Sequence, residues 1–243
     1  MTHHRACLRS GLWRPLAAVG LAALAFGADA AAQDFVYAPE KDAVGRLYHY
    51  QRSNQDGSEQ EQVHVFRASP ENIVVYKMRT RCTNAAYVTA RLDLDTMSPV
   101  AMTGGRLLPD AGHEDFGFLA FDADSAALTA EIPGAGLEGA VEIGHVPWHL
   151  YDFDLASLTV ATPHLADPEG SFTVGLPMIW NDFEREDFLS YLGEVEATYD
   201  GEETLGNTAA RRYRLSGSAL GGEPGTLWLD AADGHADAEP QGI

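Results

Sequence analysis

The chain is poor in cysteine, in positive charge and in long apolar runs. Two cysteines in 243 residues, Cys7 and Cys82, exclude a disulfide-stapled scaffold. Only 16 Lys+Arg stand against 36 Asp+Glu, for a net charge of −20. That balance excludes non-specific binding to nucleic acid, and to anionic lipid, since both require a cationic footprint. The longest apolar run, residues 16–26, has eleven residues. A membrane-spanning helix needs about 20. No G-x-S-x-G nucleophile elbow is present, and Gly104-Gly105 and Gly221-Gly222 are too short to cradle phosphates. The sequence calls for no cofactor.

The apolar run has a different meaning. Arg5, Arg9 and Arg14 precede it, and Ala28-Asp29-Ala30 and Ala30-Ala31-Ala32 follow it with small-residue spacing. A basic segment, a short apolar core and an A-x-A site describe a cleavable secretory signal peptide over residues 1–32. The protein is therefore expected in the periplasm or outside the cell, with no transmembrane segment after cleavage. Cleavage removes three arginines and one aspartate, which takes the net charge to −22. It leaves residues 33–243 as a single β-rich domain with one thiol, Cys82. A chain of that length buries roughly 70% of its unfolded surface, so packing alone can hold it.

Period-two alternation dominates that domain. Val88, Ala90, Leu92 and Leu94 oppose Thr89, Arg91, Asp93 and Asp95. Leu128, Ala130 and Ile132 alternate with Thr129 and Glu131, and Val195, Ala197 and Tyr199 with Glu194, Glu196 and Thr198. Leu137, Val141 and Ile143, and later Tyr213 and Leu215, repeat the pattern. Each run describes a strand with one buried and one wet face. Turn clusters at 54–57, 68–71, 122–125, 200–201 and 232–234 separate the runs, as in an antiparallel meander. Strands 73–78 and 116–121 are apolar on both faces and should be covered on both sides.

Two helices are expected across one face. Pro147 opens the first, which carries Trp148, Leu150, Tyr151, Phe153, Leu155 and Leu158 before Pro163 stops it. Asn181 and Glu184 form a capping-box pattern for the second, and Gly193 ends it.

Chemistry-bearing residues are sparse. His145 and His149 are four apart with Asp152 behind them, the residues on which a metal would have to sit. Pro147 lies between the histidines and takes His145 out of helical register, so a structural role for His149, at a cap or on the surface, competes with a ligand role. The pairs Asp93/Asp95, Asp122/Asp124, Asp152/Asp154 and Asp230/Asp233 complete no calcium loop. Cys82 follows Arg79 and Arg81, cations that would lower a thiol pKa. A half-buried cysteine on a strand, with Arg79 and Arg81 pairing the abundant carboxylates, is the favoured reading.

The meander with two helices across one face resembles the LolA/LolB-like periplasmic carriers. That resemblance implies a strongly curved antiparallel half-barrel that is mainly β, holding an acyl chain or lipoprotein segment inside the curve. Three segments also resemble an uncharacterised family of bacterial exported proteins: 76–85, 148–158 and 227–235. The same resemblance implies a returning strand after Asp233-Gly234-His235, whereas residues 236–243 show no strand pattern. A copy truncated at its C-terminus, with an exposed sheet edge, is the expectation.

The leading functional expectation is a non-enzymatic binding or carrier protein for a lipid-like or apolar small molecule. Phe66, Tyr76, Phe118, Phe121, Trp148, Trp180 and Tyr213 would line its concave face, although they could equally fill a core. Two other readings stand beside it. One is a metal- or thiol-dependent hydrolase centred on His145/His149 or Cys82. The other is an envelope interaction protein that recruits a partner by strand addition.

Overall fold

A computed structural model describes residues 34–54, 56–79, 85–110, 112–153, 155–180, 182 and 184–236. Residues 1–32, expected to be a signal peptide, and Cys82, Asp154, Asn181 and Phe183 lie outside the described residues. Residues Gln33–Ile243 form one compact unit. No helix among the described residues is long and apolar enough to cross a membrane.

The protein is mainly β: the described residues form two antiparallel sheets and no closed barrel. The first has eight strands in chain order: β1 (Leu47–Arg52), β2 (Glu61–Arg67), β3 (Asn72–Arg79), β4 (Ala85–Asp93), β5 (Ser98–Leu107), β6 (His113–Asp122), β7 (Ala127–Ile132) and β8 (Leu137–Glu142). The second holds β9 (Ser171–Ile179), β10 (Leu189–Leu205), β11 (Thr208–Ser216) and β12 (Gly225–Asp230), in the order β12-β11-β10-β9. Every pairing between consecutive strands is a hairpin, which is what period-two sequence with short polar turns produces.

Two of these hairpins share one chemical device. Asp93 accepts the Asp95 amide at 3.1 Å and the Thr96 hydroxyl at 2.9 Å. Asp122 does the same with the Asp124 amide at 3.0 Å and the Ser125 hydroxyl at 2.8 Å. Met97 and Ala126, with φ of 55° and 53°, then reverse the chain. The first aspartate of each pair caps a turn, which accounts for its acidity without a cation. The Ser125 hydroxyl and the neighbouring amides hold the Asp122 carboxyl below the usual range.

The inward face of the first sheet is filled. Val63, Val65, Ile73, Val75, Leu92, Met102, Leu119 and Leu128 pack against Trp148, Leu150, Phe153, Phe188 and Leu189. A short helix, α1 (Ala156–Ala161), lies between the two cores. Ala156 and Val160, four apart, face the first core, whereas Leu158 and Ala161 face the second. This helix is buried all round because it has an apolar sheet on each side.

The structure corrects several expectations. Only 156–161 of the 147–163 segment is α-helical. Pro147 follows a cis peptide bond, and residues 147–149 pair in parallel with β9 instead. The Gly175 amide donates to the Pro147 carbonyl at 2.8 Å, and the His149 amide to the Gly175 carbonyl at 2.9 Å. Those backbone groups are thus taken by a sheet edge, and Leu155, at φ 53°, caps the late-starting helix. The second helix is absent from the described residues of 181–193. Trp180 bonds the Phe188 carbonyl at 2.8 Å to close a hairpin loop, and Leu189 begins β10 opposite Ile179. Asp182 caps a turn there through the Glu184 amide. Gly193 is a bulge in β10 rather than a stop: its φ is 121°, and a Cβ there would meet the Ser218 hydroxyl at 2.1 Å. Asp200-Gly201 forms no turn either, because β10 runs through it with a bulge and reverses at Gly206-Asn207. Last, the strand 116–121 is not covered on both sides: Phe116 and Phe118 are 49% and 41% exposed.

Candidate functional site

The residues singled out in the sequence scatter over the fold. Phe66, Tyr76 and Phe118 lie on the outer face of the first sheet, opposite the buried register of Val63, Val65, Val75 and Leu119. Phe121 and Trp148 meet edge to face at 5.6 Å between centroids, inside the first core. Trp180 sits on the β9–β10 loop under the Arg185 guanidinium. Tyr213 belongs to the second core.

The metal candidates are likewise dispersed in role. His145 lies within 3.1 Å of the Thr173 carbonyl through Nε2. The Asp152 backbone carbonyl accepts Lys77. His149 is fully buried, neither a surface residue nor a helix cap, and its Nδ1 lies 2.9 Å from the Ser157 hydroxyl. Burial pushes this imidazole down to about 3, so it is neutral at physiological pH. Among the described residues no three His, Cys, Asp or Glu side chains converge on a metal position.

A different set converges. β2 alternates Val63, Val65 and Arg67 toward the interior, so the strand's last inward position places a guanidinium at the edge of an apolar core. Arg67 is 1% exposed and must be paired there. Asp42, on the segment leading into β1, accepts it twice: Nε to Oδ1 at 2.9 Å and Nη2 to Oδ2 at 3.3 Å. The Pro70 carbonyl accepts Arg67 as well. Tyr37 donates its hydroxyl to Asp42 at 2.8 Å, and burial together with that bond raises the phenol to about 12.

Two buried imidazoles flank the pair. His164, in the turn after α1, accepts the Ala38 amide through Nδ1 at 3.1 Å, which places its proton on Nε2. Burial takes it down to about 4 against the opposing pull of Asp42. His235 follows the β12 turn, and its Nε2 lies 2.7 Å from the Tyr48 hydroxyl. Burial lowers His235 too, with Asp233 acting in the other direction. Gly234, at φ 76°, lets this turn press against Pro163, where a Cβ would stand 3.0 Å from the proline Cα.

Between these elements opens a cleft of about 530 Å³, within the range of small-molecule sites. Val44, Pro163, Leu165, Pro168, Tyr213 and Leu229 supply its apolar wall. Lys41, Arg46 and Arg211 supply cations, and Glu40, Asp42 and Asp233 anions. Because Arg67 already pairs Asp42, the local balance is slightly positive in a chain of −20. Beside Arg67, His164, His235 and Tyr48 the space narrows to a crevice that admits no water. Arg67 Nη1 and Arg211 Nε are buried with no hydrogen-bond partner among the described residues. The cleft can therefore hold an apolar body against one wall and an acceptor group against the cations Lys41, Arg46 and Arg211. Both imidazoles are already committed to Ala38 and Tyr48.

Of the residues in the cleft, sequence reasoning selected Tyr213 and the segment containing Asp233-Gly234-His235. It missed Asp42, Arg67, His164 and Arg211. Arg67 did carry a signal, as a cation on the inward register of an alternating strand. No protein-family model, curated protein or solved structure matches the chain.

Proposed function

We propose that this is an exported, non-enzymatic binding protein of the bacterial envelope, a carrier with LolA/LolB-like half-barrel character. Its ligand is an amphipathic small molecule with an apolar body and an anionic head. The observation that carries the reading is a cleft of about 530 Å³ in which an apolar wall stands beside Arg211, whose Nε has no partner among the described residues, with Lys41 and Arg46 as further cations. A buried donor without an acceptor costs about 1–3 kcal/mol, and an anionic ligand would relieve that cost. The cleft, rather than the filled inner face of the first sheet, is the place for such a ligand.

The test is titration with a fluorescent fatty acid and with the neutral alcohol of equal chain length. The fatty acid should bind and the alcohol should bind more weakly. Arg211→Ala should weaken the acid by roughly tenfold or more, the loss of one charge-assisted hydrogen bond. Equal affinity for acid and alcohol, or no binding of either, contradicts the proposal.

A further inference from the structure

The outer face of the first sheet carries a histidine pair outside the cleft. β1 and β2 run antiparallel with His49 directly opposite His64, so both imidazoles leave the sheet on the same side. Their rings stand perpendicular, with centroids 4.6 Å apart, and the two Nδ1 atoms are 2.5 Å apart. Two ring nitrogens that close have room for one proton between them. His64 has no choice in the atom it offers. Its Nε2 is buried without a partner among the described residues, leaving Nδ1 as the nitrogen that faces outward. His49 is exposed on the edge strand.

A first-row metal binds imidazole nitrogen at about 2.0–2.1 Å. Two nitrogens held at a right angle are then roughly 2.9 Å apart, and at a tetrahedral angle roughly 3.3 Å. The right-angle arrangement lies only some tenths of an ångström from the separation seen here. A small rotation of His49 reaches it.

We propose that His49 and His64 form a site for a divalent metal ion of tetragonal preference, Cu(II) or Ni(II), bound by two adjacent imidazole nitrogens. Among the described residues no third His, Cys, Asp or Glu joins them, so water completes the coordination and leaves positions open to another donor. The net charge of −20 favours the approach of a cation.

The experiment is addition of one equivalent of Cu(II) to the full chain, followed by electron paramagnetic resonance. It is done in a His3→Ala/His4→Ala background, which removes competition from the two histidines near the first residue. The expected spectrum is tetragonal, with hyperfine structure from two nitrogens. His49→Gln and His64→Gln should each weaken Cu(II) by at least roughly tenfold, no less than losing an outer-shell partner costs. His113→Gln, on the same face, should leave the titration unchanged. A one-nitrogen spectrum, or an affinity that survives His49→Gln, overturns the site. His49 is exposed on an edge strand, so that variant keeps the fold.

Discussion

Two groups of buried polar side chains among the described residues end differently. Around His149 the polar atoms are sealed in: the imidazole holds the Ser157 hydroxyl, the Trp148 amide donates to Ser98 at 2.9 Å, and apolar residues close over all of them. Around Arg67 the polar atoms form a chain from Tyr37 through Asp42 that reaches an open cleft. Each group keeps some buried polar atoms without a partner among the described residues, His149 Nε2 and Trp148 Nε1 in the first and Arg67 Nη1 and His235 Nδ1 in the second. The second borders a cleft large enough for another molecule. Burial of a polar group is thus a matter of stability, and binding begins where such a group meets open volume.

The largest effects should come from breaking the Arg67 group. Arg67→Met or Asp42→Leu alone leaves an uncompensated buried charge and should cost about 3–5 kcal/mol in urea unfolding. The double variant should cost much less than the sum of the two, because the pair is removed together. Trp148→Ala strikes the sealed region by cavity formation and should cost roughly 3–5 kcal/mol. It should leave fatty-acid affinity unchanged, while Arg67→Met in any folded fraction should weaken it.

Acid should sharpen the comparison next. His149 and His164 are held near 3 and 4, against 6.5 for an ordinary imidazole. Below pH 6.5 the unfolded chain takes up protons that the folded chain refuses, so stability is full above that value and falls as pH drops toward 4. Each imidazole contributes up to about 1.4 kcal/mol per pH unit. Urea midpoints measured across pH 7 to 4 should show this slope, and His149→Gln should reduce it by one imidazole's share. The smallest effect belongs to the outer face. Phe118→Thr should change stability by less than about 0.5 kcal/mol, since the ring is already half in water.

Much of the sheet was legible, because period-two alternation reports one buried face directly. The strands around Val88–Leu92 and Leu128–Ile132 fall inside β4 and β7 with the expected faces inward. Of the two expected helices the described residues form only 156–161 of the first, for a physical reason. An N-terminal proline and a capping box describe local preference, and both segments found stronger partners in sheet edges, at Gly175 and at Ile179. Asp200-Gly201 misled similarly, since a bulge tolerates the same residues as a turn. The cleft was almost illegible. Asp42, Arg67, His164 and Arg211 are spread over 170 positions of chain, and only the meander's closure brings them near one another. Tyr213 and His235 gave partial notice of it, one as an aromatic on an alternating strand and the other at the end of a turn.

The central claim is that ligand enters the cleft and not the inward face of the first sheet. Backbone amide shift mapping on addition of a fatty acid tests it most directly. The account predicts perturbed amides at 40–46, 162–168, 211–213 and 229–235, with Leu119, Leu128 and Trp148 unmoved. Perturbations centred on Leu119, Leu128 and Trp148, with the cleft silent, would contradict it.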